Sequence, residues 1–237
     1  MFHCFILSFV PIVLFYYSIK FTFKKVLCVL FRLFLLSEKN FWARIICDMK
    51  AEFEKLIRRP IVMVGLMGAG KTSVGRALAR RLGVPFVDSD KEIEAAAGCS
   101  VVDIFSMYGE AEFRRVEQQV IKRLLDTPPV LKVISTGEGA FITPAVRQMV
   151  LDRALSVWLR ADLDLLVKRT NFRNTRPQLL NADSRKILAQ LIGERYDTYA
   201  LANITVETHD ESLRKTLDKV VCAIQDFAKI KQGEKNG

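Results

Sequence analysis

The chain has 237 residues, a formal net charge of +10 at pH 7, and a hydrophobic share of 50%. This length allows one α/β domain with a full core, or a smaller domain with an appendage, and we favour the second. The basic balance suits an enzyme with anionic ligands. Nucleic-acid binding is not expected, because no stripe of Lys and Arg is interleaved with aromatic residues.

Residues 1–48 differ in composition from the rest of the chain. They hold nine of the sixteen Phe residues, and six Lys/Arg residues against two acidic ones. Their first apolar run, residues 4–17, is shorter than the roughly 20 residues that a membrane span needs. The segment also lacks the ordered regions of a secretory signal. We interpret it as a mis-assigned start or a nonfunctional extension, with a membrane-associated segment as the alternative, and expect the domain to occupy residues 49–237.

An apolar run bounded by glycine, residues 61–65, predicts a buried parallel strand, and helical spacing of apolar residues follows it. Further strand-like runs lie at 84–87, 130–134, 155–159 and 204–206. Helical stretches lie at 101–107, 110–125, 145–151, 163–169, 184–200 and 212–230. This alternation predicts an α/β fold with a central five-stranded parallel sheet and helices on both faces.

Residues 65–72 read Gly-Leu-Met-Gly-Ala-Gly-Lys-Thr and match the P-loop pattern in full. The outer glycines permit backbone angles that let successive amides point at phosphate oxygens. Lys71 would supply a positive charge to the β- and γ-phosphates of ATP, and the Thr72 hydroxyl would bind Mg²⁺. The motif follows a predicted strand and opens a predicted helix, as anion binding at a helix N-terminus requires. The predicted nucleotide site consists of Gly68, Ala69, Gly70, Lys71, Thr72 and Ser73.

Polar residues at the carboxyl ends of the predicted strands indicate a second ligand, since ligands gather there in parallel sheets. The second strand ends in Asp88-Ser89-Asp90 and the third in Thr136-Gly137-Glu138-Gly139, while Arg114 and Arg195 lie on helices. Two arginines in one cleft would clamp an anionic group. A carboxylate there would orient a hydroxyl and take its proton. We infer that the acceptor is a small hydroxy acid.

Each of these residues also has a structural interpretation, which the sequence leaves open. Asp88 could be a helix N-cap, and the two arginines could pair with acids of their own helices: Arg114 with Glu110 or Glu117, and Arg195 with Asp197 or Glu194. A basic segment at 171–178 could be a plain surface loop or a mobile lid that closes over phosphates, and the neighbouring motifs favour a lid at about 171–181.

Taken together, the motifs resemble the shikimate kinase family over roughly residues 61–206. The resemblance rests on the P-loop, Asp88-Ser89-Asp90, Phe113-Arg114-x-x-Glu117, the turn at 136–139, Arg176-Pro177-x-Leu179-Leu180 and Arg195-x-x-x-Tyr199. It implies a P-loop kinase fold and ATP-dependent phosphorylation of the shikimate 3-hydroxyl, on the route to chorismate and the aromatic amino acids. It further implies a cytosolic enzyme, expected to be a monomer, that uses Mg²⁺ and no other cofactor.

The same resemblance implies a role for each matched residue. Asp90 would hold the shikimate hydroxyls and assist deprotonation of the one attacked, and Asp88 would support Mg²⁺ through water beside Thr72. Arg114 and Arg195 would grip the shikimate carboxylate. Arg176 would swing in with the lid over ATP, and the turn of Gly137, Glu138 and Gly139 would line the acceptor site.

One position departs from the family pattern, which has three consecutive glycines where this chain has Glu138 in the middle. A side chain there is strained if φ is positive. Like charges at about 4 Å also cost roughly 1 kcal/mol in water, and several times more in a shielded cleft. We therefore expect weakened shikimate binding, unless Glu138 turns to solvent. The alternatives are another hydroxy-acid P-loop kinase, such as a gluconate kinase, and an inactive nucleotide-binding paralogue that lost catalysis through Glu138.

Overall fold

The computed structural model describes residue 57 and residues 59–171 and 184–236. The predictions for residues 1–48, for the lid beyond residue 171 and for Arg176 lie outside this part of the chain. The described elements, in chain order, are β1 (Ile61–Val64), α1 (Lys71–Leu82), β2 (Phe86–Asp88), α2 (Ser89–Ala97), α3 (Val101–Asp126), β3 (Val133–Ser135), α4 (Pro144–Arg153), β4 (Leu155–Ala161), α5 (Leu163–Asn171), α6 (Ser184–Tyr199), β5 (Ile204–Thr208) and α7 (Leu213–Asn236).

The strands form one parallel sheet in the order β2-β3-β1-β4-β5. Central strand β1 pairs with β3 and with β4, so that Ile61 lies opposite both Val133 and Leu155. Every residue of β1 and β3 is buried, which means that both faces of the sheet are covered. The predicted five-stranded parallel α/β fold is confirmed. Strands β2 and β3 lie on one side of β1, and the next strands, β4 and β5, lie on the other. In parallel sheets, ligands bind at the carboxyl ends of the strands where the strand order reverses in this way.

Two strands begin later than predicted, whereas the other three begin at the predicted residue and differ only in where they end. Strand β2 begins after Pro85 and ends at Asp88, rather than spanning 84–87, and β3 begins at Val133 rather than at residue 130. In the second case Lys132 precedes the strand as a buried residue whose Nζ donates a hydrogen bond to the Leu124 carbonyl, 2.7 Å away. The side chain of Lys132 therefore closes the end of α3, while its carbonyl accepts a hydrogen bond from the Ile61 N–H at the start of β1.

Helix α2 was not predicted. Its sequence carries no repeat of large apolar residues at helical spacing, and of its nine residues only Ser89 and Ile93 are buried. The helix is defined by its ends: Asp88 is the N-cap, and Gly98 closes the other end with a left-handed φ of 71°. The next helix, α3, is interrupted at Gly109, where φ is 77°, which agrees with the two separate helical stretches expected there.

No helix in the described ranges combines the length and the apolar character needed to cross a bilayer.

Candidate functional site

The loop between β1 and α1 has the backbone that its motif predicts. Gly65, Gly68 and Gly70 have φ values of 135°, 78° and 99°, a region that other residues rarely adopt. Gly65 has a second reason to be glycine, because a Cβ there would lie 2.8 Å from the Leu159 carbonyl oxygen of β4. Ala69 is buried, and Ser73 is exposed in the first turn of α1. The glycines thus determine the conformation of the loop, and Gly65 packs closely against strand β4.

Lys71 is held against the start of this loop. Its Nζ donates hydrogen bonds to the carbonyl oxygens of Gly65, at 2.8 Å, and Leu66, at 3.0 Å. The side chain is only 8% exposed. The ammonium group is therefore held at the start of the loop that precedes α1, and the N-terminus of such a helix is suited to anion binding.

Three oxygen-bearing side chains meet where α1, β2 and β3 come together. The Thr72 hydroxyl donates a hydrogen bond to Asp88 Oδ2 over 3.1 Å. Its oxygen also lies 3.2 Å from Ser135 Oγ. Hydroxyl and carboxylate oxygens are the donors that Mg²⁺ prefers, and Mg²⁺ at phosphoryl-transfer sites takes few protein ligands, with phosphates and water completing its shell. The pair Thr72 and Asp88 fits that role.

Asp88 also connects this cluster to Asp90. Its other oxygen, Oδ1, accepts a hydrogen bond from the Asp90 backbone N–H over 3.2 Å and caps α2. The N-cap interpretation of Asp88 is therefore correct, and it coexists with the contact to Thr72. One carboxylate ties the phosphate loop to the first turn of the helix that carries Asp90.

Asp90 faces the loop that follows β3. A Cβ built on Gly137 would lie 2.8 Å from Asp90 Oδ1, so the carboxylate lies directly against the Gly137 backbone. The Gly137 N–H donates a hydrogen bond to the buried Ser89 hydroxyl over 3.2 Å. Gly137 is needed for this close approach, rather than for a left-handed backbone.

Arg114 is positioned by two carboxylates of its own helix. Its Nη1 donates to Glu117 Oε2 over 2.7 Å, and its Nη2 donates to Glu110 Oε1 over 3.2 Å. Glu117 is only 1% exposed, and burial raises its pKa, an effect that Arg114 opposes and Asp90 reinforces. The expected pairing within α3 is present, and it aims the guanidinium at Gly139, where a Cβ would lie 2.6 Å from Arg114 Cζ.

Arg195 faces an acidic residue of another part of the chain, and not Asp197 or Glu194 of its own helix as the surface interpretation suggested. Its Nη1 lies 3.5 Å from Glu138 Oε1, and the two side chains are only 20% and 15% exposed. Tyr199, one turn further along α6, donates its hydroxyl hydrogen to the Glu138 carbonyl oxygen. The pKa of Tyr199 is raised, first by burial and then by the Glu138 carboxylate. Glu138 therefore points into the protein, toward the arginine of α6.

These side chains line one cavity of about 590 Å³, which has apolar walls from α3. Asp90, Arg114 and Arg195, which are separated in sequence, all face it, as the sequence predicted. The other lining residues are Glu94, Val101, Val102, Phe105, Glu110, Phe113, Glu117, Gly137, Glu138 and Gly139.

Sequence reasoning missed Arg169, in the last turn of α5. Its Nη1 donates a hydrogen bond to the Ala69 carbonyl over 3.4 Å, and its Nη2 donates to the His209 carbonyl over 3.1 Å. The guanidinium thus joins the phosphate loop to the turn after β5. An arginine in the last turn of an amphipathic helix is common, so no local signal distinguishes it.

Comparisons with known proteins agree with the motifs. The shikimate kinase family model matches residues 67–225. A shikimate kinase of Paramagnetospirillum magneticum is 54% identical over 165 residues, which cover 70% of this chain and 84% of that protein. One of Mesorhizobium japonicum is 48% identical over 157 residues, which cover 66% of this chain and 76% of that protein. The solved shikimate kinase from Acinetobacter baumannii in complex with shikimate has 35% identity and a TM-score of 0.69, covering 75% of this chain and 97% of that chain.

Proposed function

This chain belongs to the shikimate kinase family, and we propose that its reaction is transfer of the γ-phosphoryl group of ATP to the 3-hydroxyl of shikimate. The hydroxyl oxygen forms a bond to the γ-phosphorus as the bond from that phosphorus to the β,γ-bridging oxygen breaks. ADP leaves, and the hydroxyl proton passes to a base of the enzyme. The product is shikimate 3-phosphate, a precursor of chorismate and the aromatic amino acids.

The acceptor occupies the cavity lined by Asp90, Arg114 and Arg195. Asp90 orients the hydroxyls and takes the proton of the one that attacks. The two guanidiniums bind the carboxylate, and the narrow backbone of Gly137 and Gly139 lets the acceptor lie against the loop after β3. The support is geometric, because a general base and two anion-binding groups face one hollow.

The nucleotide phosphates lie on the loop of Gly68, Ala69, Gly70, Lys71 and Thr72, with Ser73 in the first turn of α1. Lys71 stabilises the charge that develops on the transferred group. Thr72 and Asp88 would hold Mg²⁺, which when bound neutralises phosphate charge. Arg176 stays a prediction for the lid, outside the described residues, whereas Arg169 already lies on the carbonyl side of the loop.

The observation that carries the proposal is the double role of Asp88, which contacts Thr72 with one oxygen and caps the helix of Asp90 with the other. Asp90, the proposed base, therefore lies in the first turn of a helix that Asp88 connects to Thr72. The test is ADP release by the full chain with ATP, Mg²⁺ and either shikimate or gluconate. Release that depends on shikimate supports the proposal, whereas release with gluconate alone, or ATP binding without any acceptor-dependent release, contradicts it.

We also propose that residues 49–237 are the catalytic domain and that it acts as a monomer in the cytosol. The family match, residues 67–225, lies inside this range and supports it. Sequencing the N-terminus of the native protein, together with cell fractionation and light scattering, tests these points. A mature N-terminus before residue 49 in a membrane fraction, or a dimer, would contradict them.

A further inference from the structure

We propose that Glu138 competes with the substrate carboxylate for Arg195 and so limits acceptor affinity. In the unliganded enzyme the Glu138 side chain is the partner of Arg195, and the acceptor has to displace it. This inference rests on the proposed function, because it concerns how shikimate enters the same cavity.

The geometry of the pair supports the exchange. Glu138 Oε1 lies 3.5 Å from Arg195 Nη1, and both side chains line the acceptor cavity. The Glu138 carboxylate therefore occupies the Nη1 side of the guanidinium that is proposed to bind the acceptor carboxylate. An acceptor carboxylate that approaches Arg195 is repelled by the Glu138 carboxylate in this partly buried site, so acceptor binding favours movement of Glu138 away from the guanidinium.

The charges of the cavity make this exchange costly. Within the part of the chain that the structure describes, its lining contains five acidic residues against two arginines: Asp90, Glu94, Glu110, Glu117 and Glu138 against Arg114 and Arg195. Arg114 is bonded to Glu110 and Glu117. Arg195 is paired with Glu138. An incoming carboxylate therefore meets guanidiniums whose charge is already compensated.

Of the three positions 137, 138 and 139 in the loop after β3, only position 138 has room for a side chain. A Cβ at Gly137 would crowd Asp90, and one at Gly139 would overlap Arg114. Among the residues that the structure describes, no residue other than glycine has a positive φ, so Glu138 carries no strain of that kind. Tyr199 holds its carbonyl. The exchange can therefore proceed by rotation of the Glu138 side chain, while the backbone of the loop stays in place.

The expected signature is a change in KM without a change in kcat. Glu138 opposes binding but is already displaced once shikimate is bound, so its removal should leave the chemical step unaffected. In Glu138→Gly we expect the KM for shikimate to fall about tenfold, equivalent to about 1.4 kcal/mol. Glu138→Gln, which keeps the shape without the charge, should lower it by a smaller factor.

The carboxamide of shikimate separates competition from a structural effect. A neutral amide does not compete with Glu138 as a second anion, so its KM should change less than about twofold between wild type and Glu138→Gly. A loop that merely becomes looser would shift the two acceptors equally. The matched control is Glu207→Gln, which removes the carboxylate paired with Arg160 on the exposed side of β4 and β5.

The experiment is steady-state kinetics of ADP release by the full chain and these variants, with shikimate and with its carboxamide at saturating ATP. A lower KM confined to shikimate and to the Glu138 variants supports the inference. An unchanged or raised KM in Glu138→Gly, or equal shifts for both acceptors, overturns it while leaving the proposed function intact. Absence of shikimate turnover in wild type and in every variant overturns the proposed function itself, and this inference with it.

Discussion

The guanidinium of Arg114 packs directly on Gly139, where a Cβ would come within 2.6 Å of Arg114 Cζ. Gly139 has no positive φ, so its missing side chain serves this close approach. Arg114 also forms ion pairs with Glu110 and Glu117 of its own helix, which fix the direction of its side chain. The position of Arg114, one of the two groups proposed to bind the acceptor, is therefore set jointly by its helix and by a glycine of the loop after β3.

Replacing Gly139 with alanine should weaken acceptor binding more than it weakens the fold. The new Cβ meets only the end of a flexible side chain, which moves aside and takes Arg114 out of position. We expect the KM for shikimate to rise at least about tenfold, the loss of roughly one charge-assisted hydrogen bond, with little change in thermal stability. Gly193→Ala is the control, since a Cβ there meets nothing within 4 Å. A Gly139→Ala enzyme with wild-type KM would contradict this packing.

Glu117 should make stability depend on pH. Burial raises its pKa above the ordinary value of 4.5, so the folded protein holds the Glu117 proton more tightly than the unfolded chain does. Its contribution to stability is present below the unfolded pKa and is lost as the pH rises through the folded one. The Tm of wild type minus that of Glu117→Gln should therefore fall as the pH rises from about 4.5 toward neutrality. A difference that is constant or grows with pH would show that burial does not dominate.

Tyr199 should contribute stability through the hydrogen bond from its hydroxyl to the Glu138 carbonyl. The ring is fully buried, so Tyr199→Phe leaves that carbonyl without its donor. We expect a loss of about 1 kcal/mol in the free energy of unfolding, measured by urea denaturation. Tyr108→Phe, at a side chain that is 60% exposed, is the matched control and should be neutral. Equal effects of the two changes would rule out a specific role for the buried hydroxyl.

Asp88→Asn separates metal binding from helix capping. Asparagine caps helices as well as aspartate does, so the contact to the Asp90 N–H and the fold should be retained. The carboxylate charge beside Thr72 is lost, and we expect the Mg²⁺ concentration for half-maximal activity to rise several-fold, as it does when a supporting ligand is removed. Asp152→Asn, at an exposed carboxylate bonded to Gln148, is the control. An unchanged Mg²⁺ requirement in Asp88→Asn would place the metal elsewhere.

The sheet and the phosphate loop were predictable because their signals are local. The apolar run at Ile61–Val64 and the glycines after it lie within one short stretch of sequence. Helix α2 is not predictable from the sequence, because Ile93 is its one large apolar residue and no helical repeat is present. Its N-cap, Asp88, was noted only as an alternative, since the sequence does not show that one carboxylate serves both a helix and a hydroxyl.

The pairing of Arg195 was not predictable, because its partner Glu138 lies on a different element and nothing local links them. The acids near Arg195 in sequence were the natural candidates, yet the fold turns the side chain toward the loop after β3. The need for glycine at position 139 was likewise not predictable, because the Arg114 guanidinium, and not the local backbone conformation, excludes a side chain there. Sequence identified these residues as members of one site, and only the structure shows their contacts.

The proposed reaction depends most directly on Asp90 as the base of the acceptor cavity. The deciding measurement is the rate at which shikimate phosphate accumulates, followed by mass spectrometry, in wild type and in Asp90→Asn. We predict that the substitution slows formation of the product by at least about 10²-fold, the usual contribution of a general base, while ATP binding is retained. An Asp90→Asn enzyme that forms the product at the wild-type rate would contradict the account.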